Sequence, residues 1–213
     1  MNNIMLRTNL SLDDIRAALQ KPLPGLAAQI RLAPEYRAAS LRAKPPDGAK
    51  PAGVLILLYP HDGAWYFPLI KRVEDGLVHS GQISLPGGSQ EAGESLRETA
   101  LREACEEIGA ACEGVEVLGE LSTIYIPPSN FLVAPAIGYA PQRPDFHLDA
   151  REVAELIEVP LSILFDPQVV KREPWILRGV EVEVPFYQIG PHKVWGATAM
   201  ILSEFGMLLT GRL

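Results

Sequence analysis

The sequence contains few cysteines and no long apolar run, which excludes several classes of protein. Its 213 residues include two cysteines, Cys105 and Cys112, which are too few for a disulfide framework or a four-ligand zinc site. We therefore expect both to be reduced packing residues. No apolar run approaches the about 20 residues of a membrane-spanning helix, and residues 1–30 contain no signal-peptide apolar core. These absences predict a cytoplasmic protein without a membrane segment.

Positive charge is also scarce. The sequence has 19 Lys and Arg residues and 26 Asp and Glu residues, which gives a net charge of 19 − 26 = −7, and the basic residues are not clustered in one segment. Affinity for duplex nucleic acid comes mainly from neutralising phosphates, so nucleic-acid binding is disfavoured. A small phosphorylated ligand remains compatible with this charge, because divalent metal ions can lie between carboxylates and phosphates. The glycine-containing motifs of serine hydrolases, P-loop proteins and dinucleotide-binding folds are missing as well.

Residues 1–50 differ from the remainder, and we interpret them as an N-terminal helical arm and linker that precede a main domain at 51–213. Ser11 and Asp14 form a capping-box-like start, followed by apolar residues at helical spacing. The proline- and glycine-containing segment 44–48 predicts a loop that leads into the main domain. The role of this arm is left open by the sequence.

The main domain mixes strand-like and helical patterns without regular alternation. Apolar, β-branched and aromatic runs at 54–59 and 65–70 flank a turn at 60–63, which predicts a hairpin. Further strands are expected at 115–121, 131–139 and 180–187, and helices at 95–108, 152–158 and 198–209. The last helix has apolar residues around Met200 and Phe205, which indicates core packing or a homodimer surface. This arrangement predicts an α+β domain built on a mixed sheet.

The helix predicted at 95–108 has three carboxylates on one face. Glu103, Glu106 and Glu107 follow one another at i, i+3 and i+4, so they lie within about a quarter turn of the helix. Like charges at this spacing repel. They form either a solvated acidic face balanced by Arg102 and other bases, or a site for Mg²⁺ or Mn²⁺, which prefer carboxylate oxygens.

The spacing of the residues around these three carboxylates favours the metal site. The chain reads Gly88-x5-Glu94-x7-Arg102-Glu103-Ala104-x-Glu106-Glu107-x-Gly109, which resembles the Nudix box, G-x5-E-x7-R-E-U-x-E-E-x-G-U with U an apolar residue. Every fixed position is present, and Ala104 and Ala110 are smaller than the usual U residues. The resemblance implies a Nudix fold, in which a mixed β-sheet lies between helices as an α/β/α sandwich. It also implies hydrolysis of a nucleoside diphosphate linked to another moiety.

The same resemblance implies roles for individual residues. The metal ligands would be Glu94, Glu103, Glu106 and Glu107, with Mg²⁺ or Mn²⁺ as the ion. Arg102 would orient these carboxylates, and Gly87 and Gly88 would let the backbone approach closely. The residue that accepts the proton of the attacking water stays open among Glu106, Glu107 and Glu152, so the catalytic set is Arg102, Glu103, Glu106, Glu107 and Glu152.

The run before the box resembles a second motif, that of coenzyme A pyrophosphatases. Residues 79–88 read H-S-G-Q-I-S-L-P-G-G and follow Lys71-Arg72, which is similar to the H-x-G-Q-I-S-F-P-G-G run of that subfamily. Similar runs at 129–135, 152–155 with 159–161, and 195–199 extend the resemblance over about residues 52–202. The substrate-binding residues it implies are Lys71, Arg72, His79, Gly81, Gln82, Gly87 and Gly88.

This subfamily resemblance implies cleavage of coenzyme A to 4′-phosphopantetheine and adenosine 3′,5′-bisphosphate. ADP-ribose, NADH or another nucleoside diphosphate derivative is the alternative substrate. A non-catalytic ligand-sensing module is disfavoured because all box carboxylates are present. On the structural side, Lys71 and Arg72 could be an exposed strand end, and residues 81–85 a loop that only shapes the box.

Overall fold

A computed structural model describes residues 10–76, 79–110, 112–177 and 179–211, without the side chains of 38–40. The helices of these ranges are α1 (Leu12–Leu19), α2 (Leu26–Gln29), α3 (Arg37–Arg42), α4 (Leu96–Ile108) and α5 (Gly196–Thr210). The strands are β1 (Lys50–His61), β2 (Ala64–Arg72), β3 (Ile83–Ser84), β4 (Gly87–Ser89), β5 (Glu116–Glu120), β6 (Ile124–Ile126), β7 (Phe131–Tyr139), β8 (Val153–Pro160), β9 (Val170–Leu177), β10 (Val180–Ile189) and β11 (His192–Trp195). Short 3-10 turns cover Ile30–Leu32, Leu161–Phe165 and Pro167–Val169.

Strand β1 is the centre of the main sheet. It forms the predicted hairpin with β2 through a turn at Asp62 and Gly63, pairs in parallel with β7, and pairs antiparallel with β4. The order along the sheet is β3-β2-β1-β7-β5, with β8 added to β2 and β6 to β7. Parallel and antiparallel pairs thus coexist, which confirms the predicted mixed sheet. Strands β9, β10 and β11 form a separate antiparallel sheet that leads into α5.

The main sheet is covered on both faces. Ile56 and Leu58 of β1 pack into a core cluster that includes α5, whereas Leu55 and Leu57 pack into a second cluster with α4. Alternate residues of a strand point to opposite faces, so the continuous apolar run of β1 fits a strand buried on both sides. The α/β/α sandwich is therefore confirmed. Helix α5 is buried along nearly its whole length, as a core helix should be.

The arm packs against this domain. Helix α1 begins at the predicted capping box, in which the Asp14 N–H donates to Ser11 Oγ and the Ser11 N–H donates to the Asp14 carboxylate. Farther along, Gly25 N and Gln29 Nε2 donate to the carboxylate of Glu204, a fully buried residue of α5. The division at residue 50 stays a prediction. No helix among the described residues is both long and apolar enough to cross a bilayer.

Two expectations from the sequence are wrong. Residues 152–158 do not form a helix, because 153–160 are strand β8, which pairs antiparallel with β2. The cysteines are not reduced: Cys105 and Cys112 form a disulfide with a Cα–Cα distance of 4.9 Å. Gly109, which is in the left-handed conformation, ends α4 and turns the chain back, so Cys112 comes within disulfide reach of the helix.

Candidate active site

Helix α4 carries the box carboxylates, and local sequence sets its ends. Ser95 and Glu98 form a capping box at its start, with the Ser95 N–H donating to the Glu98 carboxylate at 2.8 Å. Gly109 ends the helix with a φ of 67°. Ala100, Ala104 and Ile108 are buried against the sheet. The apolar face fixes the rotation of the helix, and Glu103 and Glu107 lie beside it next to β4.

Strand β4 approaches the helix so closely that its glycines are required. A Cβ on Gly88 would lie 2.5 Å from Glu103 Cδ, and a Cβ on Gly87 would lie 2.6 Å from Val54 Cα. Gly87 also has a φ of 152°, which favours glycine. The Gly87-Gly88 pair therefore forms a cradle in which the Glu103 carboxylate rests on the backbone.

Arg102 connects four acceptors of the box. Its Nε donates to Glu94 Oε1 at 2.6 Å, and its Nη2 donates to Ser89 O at 3.0 Å. Its Nη1 lies 3.0 Å from both Glu103 Oε1 and Glu106 Oε2. The planar fork of the guanidinium suits this multiple pairing. Arg102 thus contacts three carboxylates of the box, and its role in orienting them for a metal stays a prediction.

Glu94 has its carboxylate already satisfied by protein donors. Besides Arg102, the Glu91 N–H and Thr99 Oγ1 donate to it, at 3.1 and 2.9 Å. The hydrogen bonds from Arg102 are the main reason why its pKa falls to about 2. This geometry fits a residue that braces the loop before α4, and the role of Glu94 as a metal ligand, which the resemblance implies, stays a prediction.

Glu107 is the deepest carboxylate of the site, with 1% of its surface exposed. The Gly87 N–H donates to its Oε2 at 2.8 Å, and Arg72 Nη1 donates to its Oε1 at 3.1 Å. Burial raises its pKa to about 7, although both of these contacts oppose the rise. Burial likewise raises the pKa of Glu103, against the opposing effect of Arg102.

Glu152 reaches the site from outside the box. Its carboxylate lies 3.8 Å from Arg72 Nη2, so one guanidinium connects it with Glu107. Its backbone N–H donates to Asp149 O, while the Asp149 N–H donates to Glu107 O at 2.9 Å. The end of α4 therefore positions Glu152, and the structure brings together three residues that are distant in sequence.

The donor chemistry of this site fits Mg²⁺ or Mn²⁺. Hard divalent ions take carboxylate oxygens, and Glu103, Glu106 and Glu107 present them on one face beside the glycine cradle. In the parts of the chain that the structure describes, no three acidic, His or Cys side chains yet surround a common point. Arg102 and Arg72 lie between the carboxylates, so binding of an ion requires side chains to reorient.

The other predicted substrate-binding residues form a turn before β3. His79 has a φ of 73°, and its Nδ1 lies 3.0 Å from Gln82 Oε1. The Gly81 N–H donates to Val73 O, and the Arg72 N–H donates to Gln82 O at 3.0 Å. This turn thus adjoins the backbone of Arg72. The ion-pair partner of Lys71 differs from those of Arg72. The Lys71 ammonium lies 3.6 Å from the exposed Glu74, outside the carboxylate cluster.

Sequence reasoning missed several contributors to this site. Thr99 supports Glu94, and Gly53 lets the helix approach β1, since a Cβ there would lie 2.8 Å from Ala100 N. The hydrogen bond between Thr99 and Glu94 could have been predicted, because Thr99 lies five residues after Glu94 and in the first turn of the helix. For Gly53, a glycine inside a strand pattern signals a close backbone approach.

Comparison with known proteins decides the family. Residues 49–174 match the model of the NUDIX domain. The chain belongs to the Nudix family. Members are enzymes that act on pyrophosphates, generally with divalent metal ions, so this chain is a Nudix hydrolase. The Nudix box at 88–110 lies within the matched range.

Two relatives illustrate what this Nudix hydrolase is similar to. An uncharacterized Nudix hydrolase, NudL of Pectobacterium atrosepticum, is 34% identical over 86% of this chain and 92% of its own length. The human mitochondrial coenzyme A diphosphatase NUDT8 is 34% identical over 62% of this chain and 56% of its own length. Among solved structures, the Nudix hydrolase RenU from M. smegmatis aligns with a TM-score of 0.46 and 25% identity, over 53% of this chain and 71% of that chain.

Proposed function

We propose that this Nudix hydrolase uses Mg²⁺ or Mn²⁺ to cleave the diphosphate of coenzyme A or a derivative, yielding 4′-phosphopantetheine and adenosine 3′,5′-bisphosphate. The observation that carries the proposal is the joint placement of two motifs. The turn at 79–82 is hydrogen-bonded to the backbone of Arg72, and the side chain of Arg72 contacts Glu107 of the box. The similarity to a human coenzyme A diphosphatase supports the same substrate.

In this proposal the chain's own residues hold and align the reactants. Glu103, Glu106 and Glu107 hold the metal, and Arg102 keeps their carboxylates oriented. When bound, the ion neutralises phosphate charge and lowers the pKa of a coordinated water. The glycine cradle at 87–88 lets the Glu103 carboxylate rest against the backbone and leaves the Gly87 N–H directed at Glu107, so it helps to hold the metal set in place.

Two carboxylates are candidates for accepting the water's proton. Glu107 has a pKa of about 7 in the metal-free protein, which suits proton transfer near neutral pH, but it also belongs to the metal set. Glu152 is half exposed and lies 3.8 Å from Arg72 Nη2, whereas Glu107 contacts Arg72 Nη1. Glu152→Gln separates the two: if Glu152 is the base, turnover falls while Mn²⁺ affinity is kept. Normal turnover of Glu152→Gln would leave Glu107 or Glu106 as the candidates.

Incubation with coenzyme A and Mn²⁺, followed by chromatography of the products, tests the substrate. We expect both named products from the wild type and none from Glu106→Gln, which lacks a box carboxylate. Parallel incubations with ADP-ribose and NADH test the alternative. Turnover of either of these with coenzyme A left intact would refute the coenzyme A assignment while retaining the metal-dependent hydrolase.

A further inference from the structure

Arg72 forms an ion pair with Glu107, the most buried carboxylate of the site. We infer that Arg72 is a positioning residue that acts as an internal counter-cation: its guanidinium pairs with Glu107 and Glu152 in the metal-free enzyme and competes with the divalent ion for Glu107. This inference rests on the metal dependence in the proposed function. It differs from a role of Arg72 in substrate binding alone, because it concerns the enzyme before any substrate is present.

The backbone fixes the point from which the Arg72 side chain extends. Arg72 is the last residue of β2, and the pairing of β2 with β8 shifts register between Lys71 and Arg72. Such irregularities bend a strand and redirect its side chains. The Arg72 N–H also donates to Gln82 O at 3.0 Å. The two adjacent cations consequently have different partners, Glu74 for Lys71 and Glu107 for Arg72.

The burial of Glu107 explains why a cation is needed there. A buried carboxylate is costly unless it is paired and hydrogen-bonded. Glu107 has two such contacts, the Gly87 N–H at one oxygen and Arg72 Nη1 at the other. Arg72 is therefore the charged partner of Glu107, and its second contact, with Glu152, ties the start of β8 to the end of α4.

A divalent ion that binds Glu107 meets this guanidinium. The two positive charges repel, and the Glu107 oxygen used by Arg72 must be shared or released. Arg102 is different, because it is anchored on Glu94 and Ser89 O, and its partners within the metal set are Glu103 and Glu106. Removal of the Arg72 charge should therefore tighten metal binding, whereas a purely substrate-binding arginine would leave metal affinity unchanged.

The test measures Mn²⁺ binding to the full chain without substrate, by the electron paramagnetic resonance signal of free Mn²⁺. For Arg72→Gln we expect binding about tenfold tighter than wild type, the size expected when a unit charge is removed several ångströms from a divalent ion in a water-like dielectric. Arg72→Lys keeps the charge but loses the fork that spans two carboxylates, so a smaller gain is expected. Lys71→Gln is the matched control, since it removes the same charge from a side chain that is paired with the exposed Glu74, and it should change Mn²⁺ affinity much less than Arg72→Gln.

Unfolding of the variants in EDTA, with and without added Mn²⁺, provides a second readout. Arg72→Gln should melt at a lower temperature than wild type in EDTA, because it leaves a buried charge without its partner, and Mn²⁺ should raise its melting temperature by more than it raises that of wild type. If Arg72→Gln does not fold, the same Mn²⁺ binding and melting measurements on Arg72→Lys test the inference. Unchanged or weaker Mn²⁺ binding in a folded Arg72 variant overturns the inference alone. Failure of the wild type to bind Mn²⁺ overturns the proposed metal-dependent function instead.

Discussion

Replacement of Glu107 by Gln should inactivate the enzyme and yet stabilise the metal-free protein at neutral pH. Glu107 is 1% exposed, and burial raises its pKa from 4.5 to about 7. Gln resembles the protonated acid, since it is neutral and keeps an oxygen that can accept from the Gly87 N–H. The substitution therefore removes the cost of ionising a buried group while it also removes a metal ligand.

The sign and the size of this stability difference follow from the linkage between protonation of Glu107 and folding. Below pH 4.5 the residue is protonated in both the folded and the unfolded protein, so Glu107→Gln and wild type should differ little. Between pH 4.5 and about 7 the unfolded chain releases this proton while the folded protein retains it, so wild type loses stability as the pH rises. At about 1.4 kcal/mol per pKa unit, the advantage of the variant grows to about 3 kcal/mol above pH 7.

Urea denaturation in EDTA at several pH values between 4.5 and 8 measures this difference. Glu106→Gln is the matched control, because it makes the same chemical change on an exposed side chain of the same helix and relieves no burial. A stability difference between Glu107→Gln and wild type that does not change with pH would refute the reasoning. With Mn²⁺ added, wild type should regain stability and the variant should gain less.

Three further predictions concern the cradle, the arm and the disulfide. Gly88→Ala should weaken Mn²⁺ binding and lower turnover about 100-fold, because its Cβ would displace the Glu103 carboxylate; Mn²⁺ titration and steady-state kinetics measure both. Glu204→Ala should cost about 2–4 kcal/mol in urea denaturation and speed proteolysis within residues 20–35, since buried donors of the arm lose their acceptor. Cys112→Ser should lower the free energy of unfolding by about 2 kcal/mol, because the disulfide constrains a short loop of the unfolded chain.

Each of these predictions has a matched control. Gly48→Ala adds a methyl group in open space, and a comparable loss of activity there would contradict the steric reason given for Gly88. Glu204→Gln keeps one acceptor oxygen, so it should destabilise less than Glu204→Ala. Dithiothreitol should destabilise wild type and leave Cys112→Ser unchanged; an equal response of both proteins would show that the disulfide contributes no stability.

Local patterns were sufficient to predict α1 and the site helix α4. The capping residues Ser11 and Ser95 start α1 and α4 where predicted, and Gly109 ends α4. The spacing of Glu103, Glu106 and Glu107 places them on one helical face whatever the rest of the chain does, because the helix period is a local property. Recognition of the box from its spacing has the same basis, and the match to the family model confirms it.

Strand β8 shows where local patterns fail. Residues 152–160 carry a glutamate at every third position from 152 to 158, which satisfies helical spacing, but they also contain Val153, Ile157 and Val159, which favour strands. Pairing with the edge of β2 decides between the two conformations, and a single sequence does not show which segment will supply that partner. The disulfide has a similar origin, since Cys112 approaches Cys105 only after the turn at Gly109.

By itself, the sequence determined the family, the carboxylate face of α4 and the mixed sheet between helices, because capping, helical period and strand patterns act over a few residues. Only the tertiary structure decided that Arg72, Glu107 and Glu152 meet. These residues come from the end of β2, the last turn of α4 and the position just before β8, and only the pairing of β2 with β8 and the packing of α4 on the sheet bring them together. The burial of Glu107, which raises its pKa, arises from that same packing.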